Sequence, residues 1–433
     1  MARTRTSVAA TSLLSTVLLL SSCGGGNGED EVVLTWLNPH AGAYEPVVEA
    51  FEERNEGVRI ELQSVPFDQV VEQTQARLGA GDTGIDIVSV DPPRLANMVA
   101  QGFLTNESEY LPEMEDQFIE AGINSVTADG EQWAYPLWTS NNFLFYNREA
   151  LENAGVEIPG ESHEDRLTWE DVLKRAEEVV DAGETTYGFG MDQVDRYYAL
   201  QPMIESIGAG NGLTGDDNLT PEVNTPEWVE FGEWYSDIHS SGLAPRGVEP
   251  EQMVDLFRSG QSAFLLGGAS AIGRMQDGDF SDSWGMAPHP YFENGAVVTP
   301  TDSWAIGITS TTEHEELARE FVQFATLNPG GAELASSVNT LPPVNTEAFE
   351  AYVDFIQDLA PEQTEGFSEL FRIDSEEHAR HRPESVGYVH FETQMNQAFS
   401  DIRNGANVEN TLNQGQQALD RELANLENLA ADN

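Results

Sequence analysis

Short apolar runs rich in β-branched residues alternate with helix-periodic segments along most of this chain, and that alternation narrows the possible folds most. Residues 31–36 (EVVLTW) have the length and composition of a strand. Asn38-Pro39-His40-Ala41-Gly42 reads as a loop. Tyr44, Val47, Val48 and Phe51 then recur at helical spacing within Tyr44 to Asn55. Val58 to Val65 is the next strand, Gln69 to Ala80 a helix closed by Gly81, and Ile85 to Val90 a buried strand stopped by Asp91-Pro92-Pro93. The pattern predicts an α/β protein with a largely parallel sheet. In such sheets ligands sit outside the carboxyl ends of strands, which singles out Asn38, Asp91 and their loops.

The alternation continues downstream. Thr168 is an N-cap type with Asp171 three residues on, a near match to a capping box that opens a helix. Residues 185–191 (TTYGFGM) read as a strand and 195–210 as a helix ending in glycines. Residues 262–275 (SAFLLGGASAIGRM) read as strand, glycine turn and helix start. Residues 284–308 carry a Pro-rich crossing and a further strand. Glu313 to Leu327 is an amphipathic helix, and Thr393 to Leu429 is helical with a polar face. No internal repeat is present.

The chain has 433 residues, about two to three domains' worth. Its apolar share of 39%, together with 38 glycines, supports ordinary cores, so the unusual feature is the surface. Formal charge is -55, from 75 acids against 20 bases, and Lys174 is the single lysine. Disorder would need low hydrophobicity as well, which the apolar periodicity opposes. The charge instead suits a folded protein in very high salt, where at about 1 M the Debye length falls to roughly 3 Å. It also opposes contact with DNA, RNA or bare anionic lipid.

The N-terminus fits an export signal over 1–22. Arg3 and Arg5 form a positive region, and Val8 to Leu20 form an apolar stretch too short to span a membrane. Leu20-Ser21-Ser22-Cys23 resembles a lipobox, with Cys23 as the lipidated residue, although Ser22 is a less usual neighbour than Gly or Ala. Cys23 is the one cysteine, so disulfides within the chain are excluded. The remainder of residues 23–30 reads as a flexible tether.

Residues 132–151 (QWAYPLWTSNNFLFYNREAL) place a polar patch, Thr139 to Asn142, between Trp138 and an apolar run, an entrance that a plain core strand does not need. This stretch extends to WAYPLWTSNNFLFYNREALENAGVEIP (133–159) and is followed by LTWEDVLKRAEEVV (167–180). With LFRSGQSAFLLGGASAI, APHPYFENGAVVTPTDSWAIGI and AREFVQFATLNPGGAELASSVNTLPPV further on, the chain resembles the family 1 extracellular solute-binding proteins of sugar ABC importers. The resemblance runs in order from about Val32 to the end. It implies a two-lobed, type II periplasmic-binding-protein fold with ligand in the cleft between lobes. Lobe 1 would comprise 31–138 and 290–342, and lobe 2 would comprise 139–289 and 343–433. Chain crossings would fall at Pro136 to Asn142, near Pro288-His289-Pro290 and near Leu341-Pro342-Pro343.

A sugar offers hydroxyls and apolar C–H faces, so its site needs planar hydrogen-bonding groups and aromatic platforms. Asp91 supplies the first, or else acts as a turn residue before Pro92. Trp138 offers a platform or packs between lobes. Ser140 and Asn141 lie where the family pattern puts polar contacts. Tyr198 aligns with a cleft aromatic through the shared Pro202, or is a helix-core tyrosine. Ser270 either meets the cleft or caps a helix. Asp302 and Trp304, before the strand Ala305 to Ile308, are read as contacts, and Asn38 as a weaker one. Trp169, Trp228, Trp234 and Trp284 are assigned to the cores. Arg380 and Arg382 would meet an anionic ligand if they face the cleft.

Enzyme motifs are missing: the chain has no Gly-x-Ser-x-Gly elbow, P-loop or His-Glu-x-x-His. His378 and His381 are three apart, but the segment reads as a solvated helix rather than a metal site. No cofactor or metal is expected. The resemblance implies a monomeric, lipid-anchored binding protein that hands a sugar to permease subunits and their ATPase at the cell surface. A secreted carbohydrate-active hydrolase and a surface adhesin stay open as alternatives.

Overall fold

The apolar runs build two separate sheets. The computed structural model describes residues 31–431, except 193–195, 216, 249–251, 277–279, 302–303 and 339–340. The signal segment, Cys23 and Asp302 therefore lie outside the described residues. The principal strands in chain order are β1 (Val32–Asn38), β2 (Val58–Ser64), β3 (Ile87–Val90), β4 (Tyr135–Pro136), β5 (Asn142–Asn147), β6 (Tyr187–Met191), β7 (Ser262–Gly268), β8 (Trp284–Ala287) and β9 (Ala305–Ile308). The first-lobe sheet runs β2-β1-β3-β9-β4, and the second-lobe sheet β8-β5-β7-β6.

Both sheets are mixed rather than largely parallel. Strand β1 pairs parallel with β2 and β3, but β9 is antiparallel to β3 and β4. Strand β7 is parallel to β6 and antiparallel to β5, which is antiparallel to β8. The periodicity reveals strands but not direction. A strand that returns from the other lobe enters its sheet from the opposite end.

Strand β5 is apolar on both faces because both are covered. Leu144 and Tyr146 join one core with Trp169, Phe189, Trp228 and Phe391. Phe143 and Phe145 join another with Trp284, Ile356 and Phe367. The first-lobe core gathers Trp36, Tyr44, Phe51, Ile306 and Phe321. Trp234, half-buried, packs against the Trp169 core. The capping expectation holds, since the Thr168 hydroxyl accepts from the Asp171 N–H at 3.2 Å and starts the helix Trp169–Asp181.

Three crossings lie side by side. The first, Leu137 to Asn141, joins β4 to β5. Its Thr139 N–H donates to the Pro342 carbonyl at 2.9 Å, and the Val344 N–H donates to the Leu137 carbonyl at 3.1 Å. The Thr139 and Thr301 hydroxyls meet at 3.0 Å.

The second crossing differs from its expected place at Pro288 to Pro290. His289 and Phe292 still pack with Trp169 of the second lobe, and the Trp169 N–H donates to the Tyr291 carbonyl. Thr299–Pro300 then pairs with Ala379–Arg380 before β9 begins. Pro288 and Pro290 follow the end of β8, and Phe292 packs against Trp169 and Trp234, which keeps the chain with the second lobe beyond the prolines.

The expected helix around His378 also differs. Asp374–His378 is a short π-helical turn, and Ala379–Arg380 is extended. Pro383 disfavours helical backbone just before it.

Candidate ligand-binding cleft

Asp91 directly follows strand β3, and Pro92 and Pro93 turn the chain at once into a short 3-10 turn that carries Arg94. A carboxylate and a guanidinium therefore stand together at the carboxyl edge of the first-lobe sheet. The second lobe presents Arg382, on the segment before the helix Tyr388–Arg403, and Glu392 within that helix. The Arg382 fork donates to both Asp91 oxygens, from Nη2 at 2.6 Å and from Nη1 at 3.3 Å. Arg94 Nη2 donates to Glu392 Oε2 at 2.6 Å, while its Nε lies 3.2 Å from Asp91 Oδ2. Each lobe thus contributes one acid and one base. The Asn97 amide adds a further link, donating to the Val386 carbonyl at 3.1 Å.

These side chains are nearly dry: Arg382 is 6% exposed, Asp91 7%, Glu392 11% and Arg94 12%. Burial works against the Arg94 charge, but Asp91 and Glu392 outweigh it and hold its pKa above the ordinary value. Burial likewise raises the Tyr388 phenol well above its usual range, and its hydroxyl donates to Glu392 Oε1 at 3.3 Å.

Beside the network opens a narrow pocket lined in part by Thr74, Ser89, Asp91, Arg94, Trp304 and, from the second lobe, Val389. The Thr74 hydroxyl is buried there without a partner among the described residues. On the other side of Asp91, the Arg382 guanidinium carbon stands 5.1 Å from the centre of the Tyr198 ring. The Tyr198 hydroxyl meets the Ser140 hydroxyl at 2.6 Å. Asp91, Tyr198, Ser140 and Trp304 of the expected set therefore gather around the interlobe space.

The other expected residues stand elsewhere. Trp138 is 2% exposed, stacks on Tyr44 at 5.3 Å and donates its indole N–H to the Ala335 carbonyl, so it packs in the first-lobe core. Asn38 is fully buried in a local turn, donating to the Trp36 carbonyl and accepting from the His40 N–H. Asn141 donates to the Phe371 carbonyl and to Ser375 Oγ, both at 3.3 Å, on the second-lobe side. Ser270 opens the helix Ser270–Met275 and does not line the pocket. Arg380 is exposed.

Sequence reasoning missed Arg94, Glu392 and Thr74, which lie within helical or turn segments with no distinguishing motif. Arg382, expected to meet an anionic ligand if it faced the cleft, does stand between the lobes, where it pairs with Asp91.

A family model for bacterial extracellular solute-binding proteins matches residues 37–332, more than half of the chain. The chain belongs to the bacterial extracellular solute-binding protein family. Among its relatives is the arabinooligosaccharide-binding protein of Halalkalibacterium halodurans, 24% identical over 314 residues, covering 70% of this chain and 68% of that protein. A periplasmic sn-glycerol-3-phosphate-binding protein of Rhizobium meliloti is 24% identical over 258 residues, 58% of this chain and 56% of its own. A Listeria monocytogenes ABC substrate-binding protein solved with cycloalternan superimposes with a TM-score of 0.76 at 20% identity, covering 91% of this chain and 98% of its own. Maltose-bound MalE3 of T. maritima gives a TM-score of 0.76 at 18% identity, covering 90% and 99%. The solute-binding protein thus has the two-lobed fold of these neighbours, and the Asp91–Arg382 and Arg94–Glu392 pairs cross between its lobes.

Proposed function

We propose that this solute-binding protein captures a neutral sugar or oligosaccharide between its lobes and delivers it to an ABC permease and its ATPase. One observation carries the reading: Asp91 and Trp304 from one lobe line an interlobe pocket with Val389 of the other, and Asp91 is joined through Arg382 to the Tyr198 ring of that second lobe. A carboxylate takes sugar hydroxyls, while tyrosine and tryptophan rings cover C–H faces. The relatives and neighbours named for arabino-oligosaccharide, cycloalternan and maltose support this class.

The sn-glycerol-3-phosphate-binding relative raises an anionic ligand as a second reading, with Arg94 and Arg382 in view. Both guanidiniums, however, face Asp91 and Glu392, so the quartet carries no net positive charge. That balance favours a neutral ligand. The hydrolase and adhesin alternatives draw no support from the family.

The lobes in this reading comprise about 31–138 with 301–342 and 139–300 with 343–431. The protein acts as a monomer in high salt, anchored by lipid on Cys23 at the outer face of the cytoplasmic membrane. A Cys23→Ser protein that still fractionates with membranes contradicts the anchor. A thermal-shift screen of sugars, polyols and sugar phosphates in molar salt tests the ligand class. A true ligand at about 100 Kd stabilises by roughly 2.7 kcal/mol, and it is recovered unchanged after incubation. A response to sugar phosphates alone contradicts the neutral-sugar reading.

A further inference from the structure

We propose that Arg382 is an internal competitor for the ligand, one that sets affinity by occupying the carboxylate and aromatic ring a sugar would use. The inference rests on the carbohydrate reading above. A sugar ring binds such a site by forking two hydroxyls onto a carboxylate and laying an apolar face on an aromatic ring. Arg382 makes both contacts itself, with the Asp91 fork at 2.6 and 3.3 Å and the Tyr198 ring at 5.1 Å. It is 6% exposed in this position, so ligand cannot share Asp91 and Tyr198 with it.

The exchange is feasible because each partner already has a second counter-ion. Asp91 keeps Arg94 Nε at 3.2 Å, and Arg382 Nη1 stands 3.8 Å from Glu392 Oε1. Displacing Arg382 therefore leaves neither charge alone in a dry site, which is the usual obstacle to breaking a buried pair. The Arg382 fork moves from Asp91 toward Glu392, and ligand takes its place. Because Asp91 and Arg382 sit on opposite lobes, the pair also draws the cleft shut without ligand. That shut form cannot accept sugar, and the population it holds raises the apparent Kd in proportion.

The test is Arg382→Gln, with Arg382→Lys as a companion that keeps the charge but loses the planar fork. Two measurements are made in molar salt on variants whose melting confirms a fold. Without added sugar, X-ray scattering is expected to give a larger radius of gyration for Arg382→Gln than for wild type, and an unchanged radius overturns the proposal. Calorimetric titration with maltose, an arabino-oligosaccharide and α-D-tagatose is expected to show binding at least fivefold tighter for Arg382→Gln, with Arg382→Lys in between. Weaker binding makes Arg382 a direct ligand contact and unchanged binding makes it a packing residue; either overturns the proposal. If no sugar binds wild type or variant, the carbohydrate reading fails, and the scattering result still decides whether Arg382 holds the lobes together.

Discussion

His289 shows how a buried side chain ties the region before the second crossing to pH. Its ring is fully buried against Trp169, its Nδ1 lies 2.8 Å from the Pro290 carbonyl, and Arg166 donates to the His289 carbonyl at 2.6 Å. Burial, helped by the Arg166 charge, lowers its pKa to about 3. The unfolded chain thus binds a proton near the usual 6.5 while the native state does not, so stability is full above that pH and falls as pH drops toward 3. His289→Gln is expected to shrink the stability difference between pH 7 and pH 5 by roughly 2 kcal/mol in denaturant titrations. An unchanged difference would mean that the imidazole charges freely in the native state. The residue scale is also where the sequence was hardest to read. Trp138 belongs to the stretch that marked the first crossing, yet its indole turns into the first-lobe core, because spacing along a crossing does not say which way a side chain points. Asp91 was visible because a strand end followed by two prolines is a local signal. Its cross-lobe partner Arg382 lies 291 residues away, and only the tertiary fold brings the two together.

At the level of elements, most strands and helices were legible, because periodicity and caps are local. Residues 262–275 do form a strand, a turn and a helix, and Gly81 does follow the helix Phe67–Gly79 and its Ala80 cap. The C-terminal region expected to be helical over Thr393 to Leu429 consists of two helices, Tyr388–Arg403 and Val408–Ala431, separated at Gly405, whose φ of +98° suits glycine. The third crossing hands over to the helix Thr346–Leu359 through Asn345. This residue accepts from the Ala348 N–H at 3.0 Å and donates to the Thr326 and Leu327 carbonyls at 3.2 and 3.0 Å. It thus caps one helix and satisfies the end of another. Asn345→Ala removes the cap and strands buried carbonyls, and is expected to cost about 2–4 kcal/mol in chemical denaturation. A loss below about 1 kcal/mol would show that the helix starts without it.

For the whole molecule, charge and crossing geometry act together. With 75 acids and 20 bases, lobes brought together in weak salt repel one another. The chain places Arg94 and Arg382, two of its few cations, where the lobes meet. Melting temperature is expected to fall by several degrees from multimolar to low salt, as unscreened carboxylates act over a longer range. Equal melting in both conditions would remove the halophilic reading. The two-lobed fold was legible through family resemblance, whereas the charge quartet that lines its cleft was not. The central claim is that ligand lies between the lobes and touches both, which favours closure because only the closed form makes both sets of contacts. Its most direct test is calorimetric titration, in molar salt, of Trp304→Ala from one lobe and Tyr198→Ala from the other with the sugar found in the screen. Affinity is expected to fall at least tenfold in each, about 1.4 kcal/mol, with the fold retained. Wild-type affinity in both variants would contradict the interlobe site.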